Sequence, residues 1–162
     1  MKKIYLLLLL VAGFVNAQIV NIPDVNFKNK LIALGVDSNG DGNIQNTEAE
    51  ALTSLNVSDN AISDLSGIEA FVNLNSLACE SNSLSALNVD ALIGLTMLSC
   101  NSNQINTLNV STLVNLTSLS CASNNLSTLD LSQVTNLTYL WCSSNHLSTL
   151  DVTPLVNLNY LS

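Results

Sequence analysis

Apolar residues recur along most of this chain with a period of 21 residues, after one first interval of 22. Segments that match L-x-x-L-x-[VC]-x-x-N-x-[LI] begin at Leu52, Leu74, Leu95, Leu116 and Leu137. Apolar positions alternate within each segment, which predicts a short strand with the leucine and the valine or cysteine on one face. A single unit cannot bury that face alone, so neighbouring units must stack and their strands must pair in parallel.

This pattern resembles the leucine-rich-repeat family, and it covers residues 52–162 with five complete copies and a truncated sixth. The resemblance implies an α/β leucine-rich repeat solenoid whose parallel strands line the concave face. A 21-residue unit leaves little room for an α-helix on the convex side. The return segments are therefore expected to be 3₁₀ turns or extended chain.

One asparagine follows the strand in every repeat, and together these residues form the asparagine ladder: Asn60, Asn82, Asn103, Asn124 and Asn145. A side-chain amide at this point can satisfy backbone groups of the turn and of the next repeat, which would otherwise be buried without partners. The ladder is therefore interpreted as structural.

Four cysteines repeat with the same period, at Cys79, Cys100, Cys121 and Cys142, where the first repeat has Val57. Stacked strands lie about 4.8 Å apart with parallel Cβ directions, whereas a disulfide requires Cβ atoms about 3.8 Å apart and turned toward each other. A linear row also cannot converge on a zinc ion. We predict free, buried thiols that act as small hydrophobic side chains, with oxidation between adjacent repeats as the alternative.

The segment before the repeats predicts a helical N-terminal cap over residues 18–51. A helix is predicted from Pro23 to Leu34, with Gly35 as the residue that ends it. Its one apolar face is formed by Val25, Phe27, Leu31 and Leu34. Thr47 to Ala51 favours a further short helical turn. Such a cap would cover the exposed apolar end of the stack.

Within this cap, Asp37 to Glu48 matches the twelve-residue EF-hand calcium loop, including the glycine at position 6 and the glutamate at position 12. Calcium prefers oxygen ligands, and the predicted set is Asp37, Asn39, Asp41, the carbonyl of Asn43, Gln45 and Glu48. The alternative is an ordinary polar turn, which Asn, Asp and Gly also favour. A single loop with three carboxylates indicates one site of modest affinity.

A helical cap followed by a 22-residue repeat with the sequence from Ile62 to Ile68 is similar to the internalin group of bacterial surface proteins. The calcium loop and the cysteine-bearing repeats depart from internalins. They resemble secreted repeat proteins of Bacteroidetes-type bacteria. These resemblances imply adhesion or protein binding, without identifying a ligand.

The first 17 residues have the form of an export signal, with Lys2 and Lys3, an apolar run from Ile4 to Val15, and a small residue at Ala17. An uncleaved membrane anchor is the alternative. We expect a secreted or surface-exposed protein that begins at Gln18.

The whole chain has a formal charge of −8 and no arginine. Removal of Lys2 and Lys3 with the signal would leave two lysines and twelve acidic residues, which is a formal charge of −10. This charge disfavours nucleic acid and anionic membranes as partners.

The residues that flank the inward leucine and cysteine should face the concave surface. In the early repeats they are mostly small or polar: Ser54, Asn56, Ser76, Ala78, Glu80, Met97, Ser99, Asn101, Ser118, Ser120 and Ala122. The later repeats place Tyr139, Trp141 and Tyr160 there, a candidate anchor for a sugar ring or an apolar residue of a partner. Packing under a further repeat or a second chain is the alternative.

No catalytic set of residues is recognisable, and the single histidine, His146, occupies a turn position, so we expect no enzyme activity. Two functions remain as hypotheses for the chain itself, namely recognition of a protein partner on the concave face and binding of carbohydrate or cell wall. A third is that the chain is the N-terminal part of a longer surface protein whose function lies elsewhere, because no capping segment follows Ser162.

Overall fold

The structure is a computed structural model that describes residues 18–162. The export signal predicted for residues 1–17 lies outside the described residues. Within residues 18–162, no helix is both long and apolar enough to cross a membrane.

Six short strands form one parallel sheet in which every strand pairs with the next strand of the sequence. The strands are β1 (Ser54–Asn56), β2 (Ser76–Ala78), β3 (Met97–Ser99), β4 (Ser118–Ser120), β5 (Tyr139–Trp141) and β6 (Tyr160–Leu161). The central leucines are in register from Leu55 through Leu77 to Leu161. This arrangement is the predicted parallel solenoid, with one turn of chain per repeat.

The convex return segments consist of turns. Among the described residues, the exception is one element of regular secondary structure, a 3₁₀ helix at Ile68–Ala70 in the first repeat. Gly67 precedes it with φ +99°, and a Cβ there would lie 2.8 Å from both Asn21 O and Ile22 Cγ1. The segment that leads into the cap therefore passes directly over this turn, and only glycine leaves room for it.

The cap contains α1 (Val25–Ala33) and α2 (Asn46–Ala49), close to the predicted helices. Phe27 and Leu31 are fully buried, as predicted, but Val25 is 64% exposed and Leu34 is 49% exposed. The predicted four-residue apolar face is therefore wrong at both ends. Val25 is the first residue of the helix and Leu34 is its C-cap, so only the middle turns of α1 face the core.

The asparagine ladder satisfies backbone groups as predicted, but it points to the preceding repeat instead of the next one. Asn124, which is buried, donates through Nδ2 to Cys100 O and Cys121 O, both at 3.0 Å, and accepts from Ile105 N at 3.0 Å. Asn103 makes the equivalent contacts one repeat earlier, to Cys79 O and Cys100 O. The amides of Asn103 and Asn124 therefore each join two adjacent turns of the solenoid.

The inward-facing leucines and all four cysteines form one continuous core with the cap residues. The cysteines are unpaired and buried, in agreement with the prediction from strand geometry. Burial raises the pKa of the Cys79 and Cys121 thiols to about 12, and it raises those of Cys100 and Cys142 as well. These thiols are protonated at neutral pH and are poor nucleophiles.

Candidate binding face and candidate calcium loop

The concave face contains a shallow depression of about 330 Å³ that crosses β3, β4 and β5 and extends to Glu80, which follows β2. Its lining consists of aromatic, thioether, hydroxyl, amide and carboxylate groups: Glu80, Met97, Leu98, Ser99, Asn101, Ser118, Ser120, Tyr139 and Trp141. Because neighbouring strands are in register, residues from different repeats meet here although they are far apart in the sequence.

The three predicted aromatic residues have different positions with respect to this depression. Tyr139 and Trp141 line it, whereas Tyr160 does not. Tyr160 stacks on Tyr139 from the next strand, with ring centroids 4.4 Å apart and planes 5° apart. Tyr160 therefore supports the Tyr139 ring from outside the depression. Because the stacked ring already has a fixed orientation, it would lose little conformational freedom when a ligand binds.

Trp141 is 38% exposed, and its indole N–H donates to Ser143 Oγ at 2.7 Å. The polar group of the indole is therefore satisfied within the chain, and part of the apolar ring remains open to solvent. Met97, two strands away, is 50% exposed. Together they give the depression an apolar surface that no described part of the chain covers.

A polar network forms the opposite side of the depression. The Ser99 hydroxyl donates to the Glu80 carboxylate, and Asn101 Nδ2 donates to Ser99 Oγ at 3.1 Å. Asn101 Oδ1 accepts from Ala122 N at 2.8 Å. Sequence reasoning placed Glu80 on this face, but it did not associate the carboxylate with the aromatic residues, because three repeats separate them.

Three residues predicted to project onto the concave surface are in fact buried: Asn101, Ser120 and Ala122. Asn101 bends back to bind the Ala122 backbone and the Ser99 hydroxyl, so its polar atoms are used within the chain. The floor of the depression is therefore more enclosed than simple strand alternation predicts.

The predicted calcium loop folds around its own carboxylates. Asp37 accepts from the backbone N–H groups of Gly40, Asp41 and Gly42 at 2.8 to 3.1 Å. Gly40 and Gly42 adopt positive φ angles of 73° and 78°, which permit this tight turn.

Three of the predicted ligand side chains converge in this loop. Asn39 Nδ2 and Gln45 Nε2 both donate to Asp41 Oδ2, at 3.2 and 2.7 Å, and Asn39 also contacts Gln45 Oε1. The Asn43 N–H and these amide contacts hold the pKa of Asp41 below its ordinary value. Rotation of the two amides would present oxygen atoms in place of nitrogen at the same location.

Glu48 makes no hydrogen bond to these three side chains and instead accepts from backbone and hydroxyl groups of the loop. Its Oε1 accepts from the N–H and hydroxyl of Ser38 at 2.7 Å, and Oε2 accepts from Gln45 N at 3.0 Å. Burial raises the pKa of Glu48, but these hydrogen bonds outweigh it, and the net pKa is lowered. Among residues 18–162, no three acidic, histidine or cysteine side chains form a metal-binding cluster. The oxygen chemistry of the loop fits calcium, and Glu48 would have to exchange these partners to reach an ion there.

The N-terminal segment pairs with the second half of this loop. Val20 N donates to Ile44 O at 2.8 Å, and Asn46 N donates to Gln18 O at 2.9 Å, around an antiparallel bridge between Ile19 and Gln45. Val20 and Ile44 are both buried. The loop is therefore supported by the residues that also pass over Gly67 of the first repeat.

Comparison with solved structures identifies the architecture. The chain is similar to the functional domain of InlJ from Listeria monocytogenes, with 36% identity and a TM-score of 0.82 over 89% of this chain and 32% of that one. That domain is described as including a cysteine ladder. A leucine-rich-repeat protein of Leptospira interrogans gives 25% identity and a TM-score of 0.65, over 71% of this chain and 32% of that one. No protein-family model and no curated protein matches the chain.

The internalin InlF of Listeria monocytogenes has the same fold, with 24% identity and a TM-score of 0.60 over 85% of this chain and 48% of that one. The chain thus spans between about a third and a half of the length of these structures. The fold is a leucine-rich-repeat solenoid, as predicted, and its structural neighbours are proteins of the internalin type.

Proposed function

We propose that this chain is a secreted or surface-exposed recognition module that binds a protein partner through its concave face. The observation that carries the proposal is the depression in which half-buried Tyr139 and exposed Trp141 lie beside Met97. Partly exposed aromatic residues with fixed orientations are the groups that most often dominate protein interfaces. The similarity to internalin-type structures supports the same role. The proposal assigns no catalytic activity to the chain.

The experiment is capture of candidate partners from a panel of purified secreted and cell-surface proteins by the immobilised chain. A partner of the concave face should be retained by the parent and lost from Trp141→Ala. Val114→Ala is the control, because Val114 is also an exposed apolar residue but lies outside the depression. A partner whose binding is weakened equally by both variants, or by neither, would contradict binding at this face.

Carbohydrate is the second candidate ligand, supported by the combination of a flat tyrosine ring with neutral hydroxyl and amide groups in one depression. Sugar rings stack on such aromatic faces, and their hydroxyls bind neutral polar side chains. A glycan array with the same two variants separates this function from protein recognition. Binding of a defined glycan by the parent, lost in Trp141→Ala, would favour it.

We further propose that calcium binds the loop from Asp37 to Glu48 and stabilises the cap. The support is the oxygen-only donor set, the convergence of Asn39, Asp41 and Gln45, and the pairing of the loop with residues 18–20. When bound, the ion would neutralise carboxylate charge inside the loop. The residues that would hold it are Asp37, Asn39, Asp41, Asn43, Gln45 and Glu48. The same chain segment passes over Gly67, so stabilisation of the loop would extend to the first repeat.

A further inference from the structure

The depression places a carboxylate opposite aromatic rings. Glu80 is half-buried and is the one charged side chain that the described residues contribute to the lining, and Tyr139 and Trp141 lie on the other side. Glu80 and Trp141 lie three strands apart, about 14 Å at about 4.8 Å per spacing, and they are also displaced by two residues along the strand direction. A long side chain that enters between them can therefore contact the ring faces and the carboxylate together.

The Glu80 carboxylate is held in place without being neutralised. Ser99 donates to one of its oxygens, and Asn101 in turn fixes Ser99. Neither contact carries a positive charge, and within residues 18–162 no lysine, arginine or histidine contributes to the lining. The two lysines that follow the export signal, Lys28 and Lys30, lie on α1 in the cap. The carboxylate is thus oriented and available for a cation from outside the chain.

The charge of the whole chain favours the same type of ligand. Residues 18–162 contain twelve acidic residues and two lysines. A field of this sign attracts basic partners over distances of several ångströms and repels acidic ones, and complementary charges increase the rate and specificity of association. The face of an indole or phenol ring also attracts cations, through the quadrupole of the ring.

We propose that this depression binds an arginine or lysine side chain that projects from a basic segment of the partner protein. The stem of that side chain lies along Met97 and the aromatic rings, and its charged end pairs with Glu80. The inference rests on the proposed function in protein recognition and adds the chemistry that the site selects. A neutral sugar would use the rings and the neutral polar groups and would not require the Glu80 charge.

Trp141 is the single tryptophan of the chain, so its fluorescence reports directly on the site. The test titrates the full exported chain with an acetylated peptide of three arginines separated by glycines, at physiological ionic strength. The matched probe replaces each arginine by citrulline, which keeps the shape and removes the charge. We expect the arginine peptide to bind about tenfold more tightly than the citrulline peptide.

Two variants distinguish a local site from general attraction to an acidic protein. Glu80→Gln should weaken binding of the arginine peptide about tenfold, which is the usual loss for one close charge pair. Asp130→Asn removes the same charge on the convex side, where Asn88 and Asn109 occupy the equivalent positions of other repeats. It should change the affinity less than about twofold, since distant charges are screened at this ionic strength. Thermal melts establish that both variants are folded.

Equal binding of the two peptides, or equal effects of Glu80→Gln and Asp130→Asn, would overturn the inference. Failure of the proposed function would be seen differently, in the capture experiment: no protein partner would be retained by the parent and lost from Trp141→Ala. A partner that depends on Trp141 but not on Glu80 would retain protein recognition and disprove selection of a cation. Trp141→Leu should also weaken binding of the arginine peptide. This variant is measured by calorimetry, because it lacks the tryptophan fluorescence.

Discussion

Asp24 and Ser63 are 39 residues apart, yet Asp24 Oδ2 accepts from both the N–H and the hydroxyl of Ser63 at 2.8 Å. The other carboxylate oxygen caps α1 by accepting from Asn26 N and Phe27 N. One side chain therefore starts the helix of the cap and attaches it to the first repeat. Asn26 adds a further contact, from Nδ2 to Ala61 O at 3.0 Å.

We expect Asp24→Ala to lower the free energy of unfolding by about 1 to 2 kcal/mol, because helix N-cap residues contribute about that amount. The Ser63 contacts are lost with the same side chain. Asp24→Asn should cost less, since its amide oxygen can still accept from the helix. Urea unfolding of the three proteins measures the difference, and an unchanged midpoint in Asp24→Ala would contradict the role of this contact.

The Asp24 contact also predicts a pH dependence. Partial burial opposes ionisation, but hydrogen bonds from Phe27, Ser63 and Asp64 outweigh it and hold the pKa of Asp24 below its ordinary value of 3.8. The stabilisation is therefore complete above pH 3.8, and it is lost as the pH falls through the lower pKa of the folded state. Melts of the parent and Asp24→Asn should converge over this acid range. A constant difference down to the lowest pH would be inconsistent with ionised Asp24.

Calcium should raise the melting temperature of the cap. At a hundredfold excess over its dissociation constant, the ion would add about 2.7 kcal/mol to the unit that unfolds with the site. The measurement compares melts with calcium and with chelator. Asp41→Asn should remove most of the shift while it retains an acceptor for Asn43 N. An unchanged melt of the parent between calcium and chelator would mean that the loop does not bind the ion.

Glu48→Ala should behave differently from Asp41→Asn. Glu48 accepts hydrogen bonds from Ser38 and Gln45 without any metal, so its loss leaves the buried Gln45 N–H without this acceptor and removes two part-buried contacts to Ser38. We expect Glu48→Ala to lower stability in chelator as well as in calcium, by about 1 to 3 kcal/mol. A variant that is destabilised only in calcium would show that these internal contacts contribute little.

Asn124 tests the structural role of the asparagine ladder. Asn124→Ala removes contacts to Cys100 O, Cys121 O and Ile105 N, all inside the core. Asn103 and Asn145 still donate to the two carbonyls, but the buried Ile105 N–H loses its acceptor. A buried group without a partner costs about 1 to 3 kcal/mol, so a loss of that size is expected. The adjacent Asn125 is exposed, and Asn125→Ala should cost less than about 0.5 kcal/mol. Similar losses for both variants in urea unfolding would contradict this difference.

The cysteine thiols should react slowly with a thiol reagent in the folded protein and completely after unfolding. Burial raises the pKa of their thiols, and therefore the thiolate fraction at neutral pH is small. Thiol counting in denaturant without reductant should give four per chain, the number in the sequence. A count of zero or two would indicate disulfides between adjacent repeats. Cys121→Val should be tolerated, since Val57 occupies the equivalent position of the first repeat.

Trp141→Ala should leave the fold nearly unchanged, with a loss below about 1 kcal/mol, because the ring is partly exposed and lies outside the core. Leu140→Ala, at the adjacent and fully buried position, should cost about 2 to 5 kcal/mol. Melting of the two variants checks this contrast. A large loss for Trp141→Ala would assign the ring a packing role instead of a binding role.

The sequence alone was sufficient for the architecture of the repeats. A fixed period forces the same position of every unit into the same environment, so Leu77 predicts Leu98 and Leu119, and the unpaired cysteines follow from the geometry of stacked parallel strands. The start and end of α1 were also readable, from local residues near Pro23 and Gly35. The first two features depend on the repeat period, and the helix ends depend on short-range interactions. Both can be recognised along the sequence.

Only the tertiary structure decided which side chains meet across repeats. Stacking places the Glu80 carboxylate and Trp141 in one depression, and it puts Tyr160 behind Tyr139 instead of beside the ligand face. It also buries Asn101, which alternation along a strand places on the surface. Side-chain direction and reach between neighbouring strands determine these contacts, and the repeat pattern specifies the backbone register without specifying the rotamers that fill it.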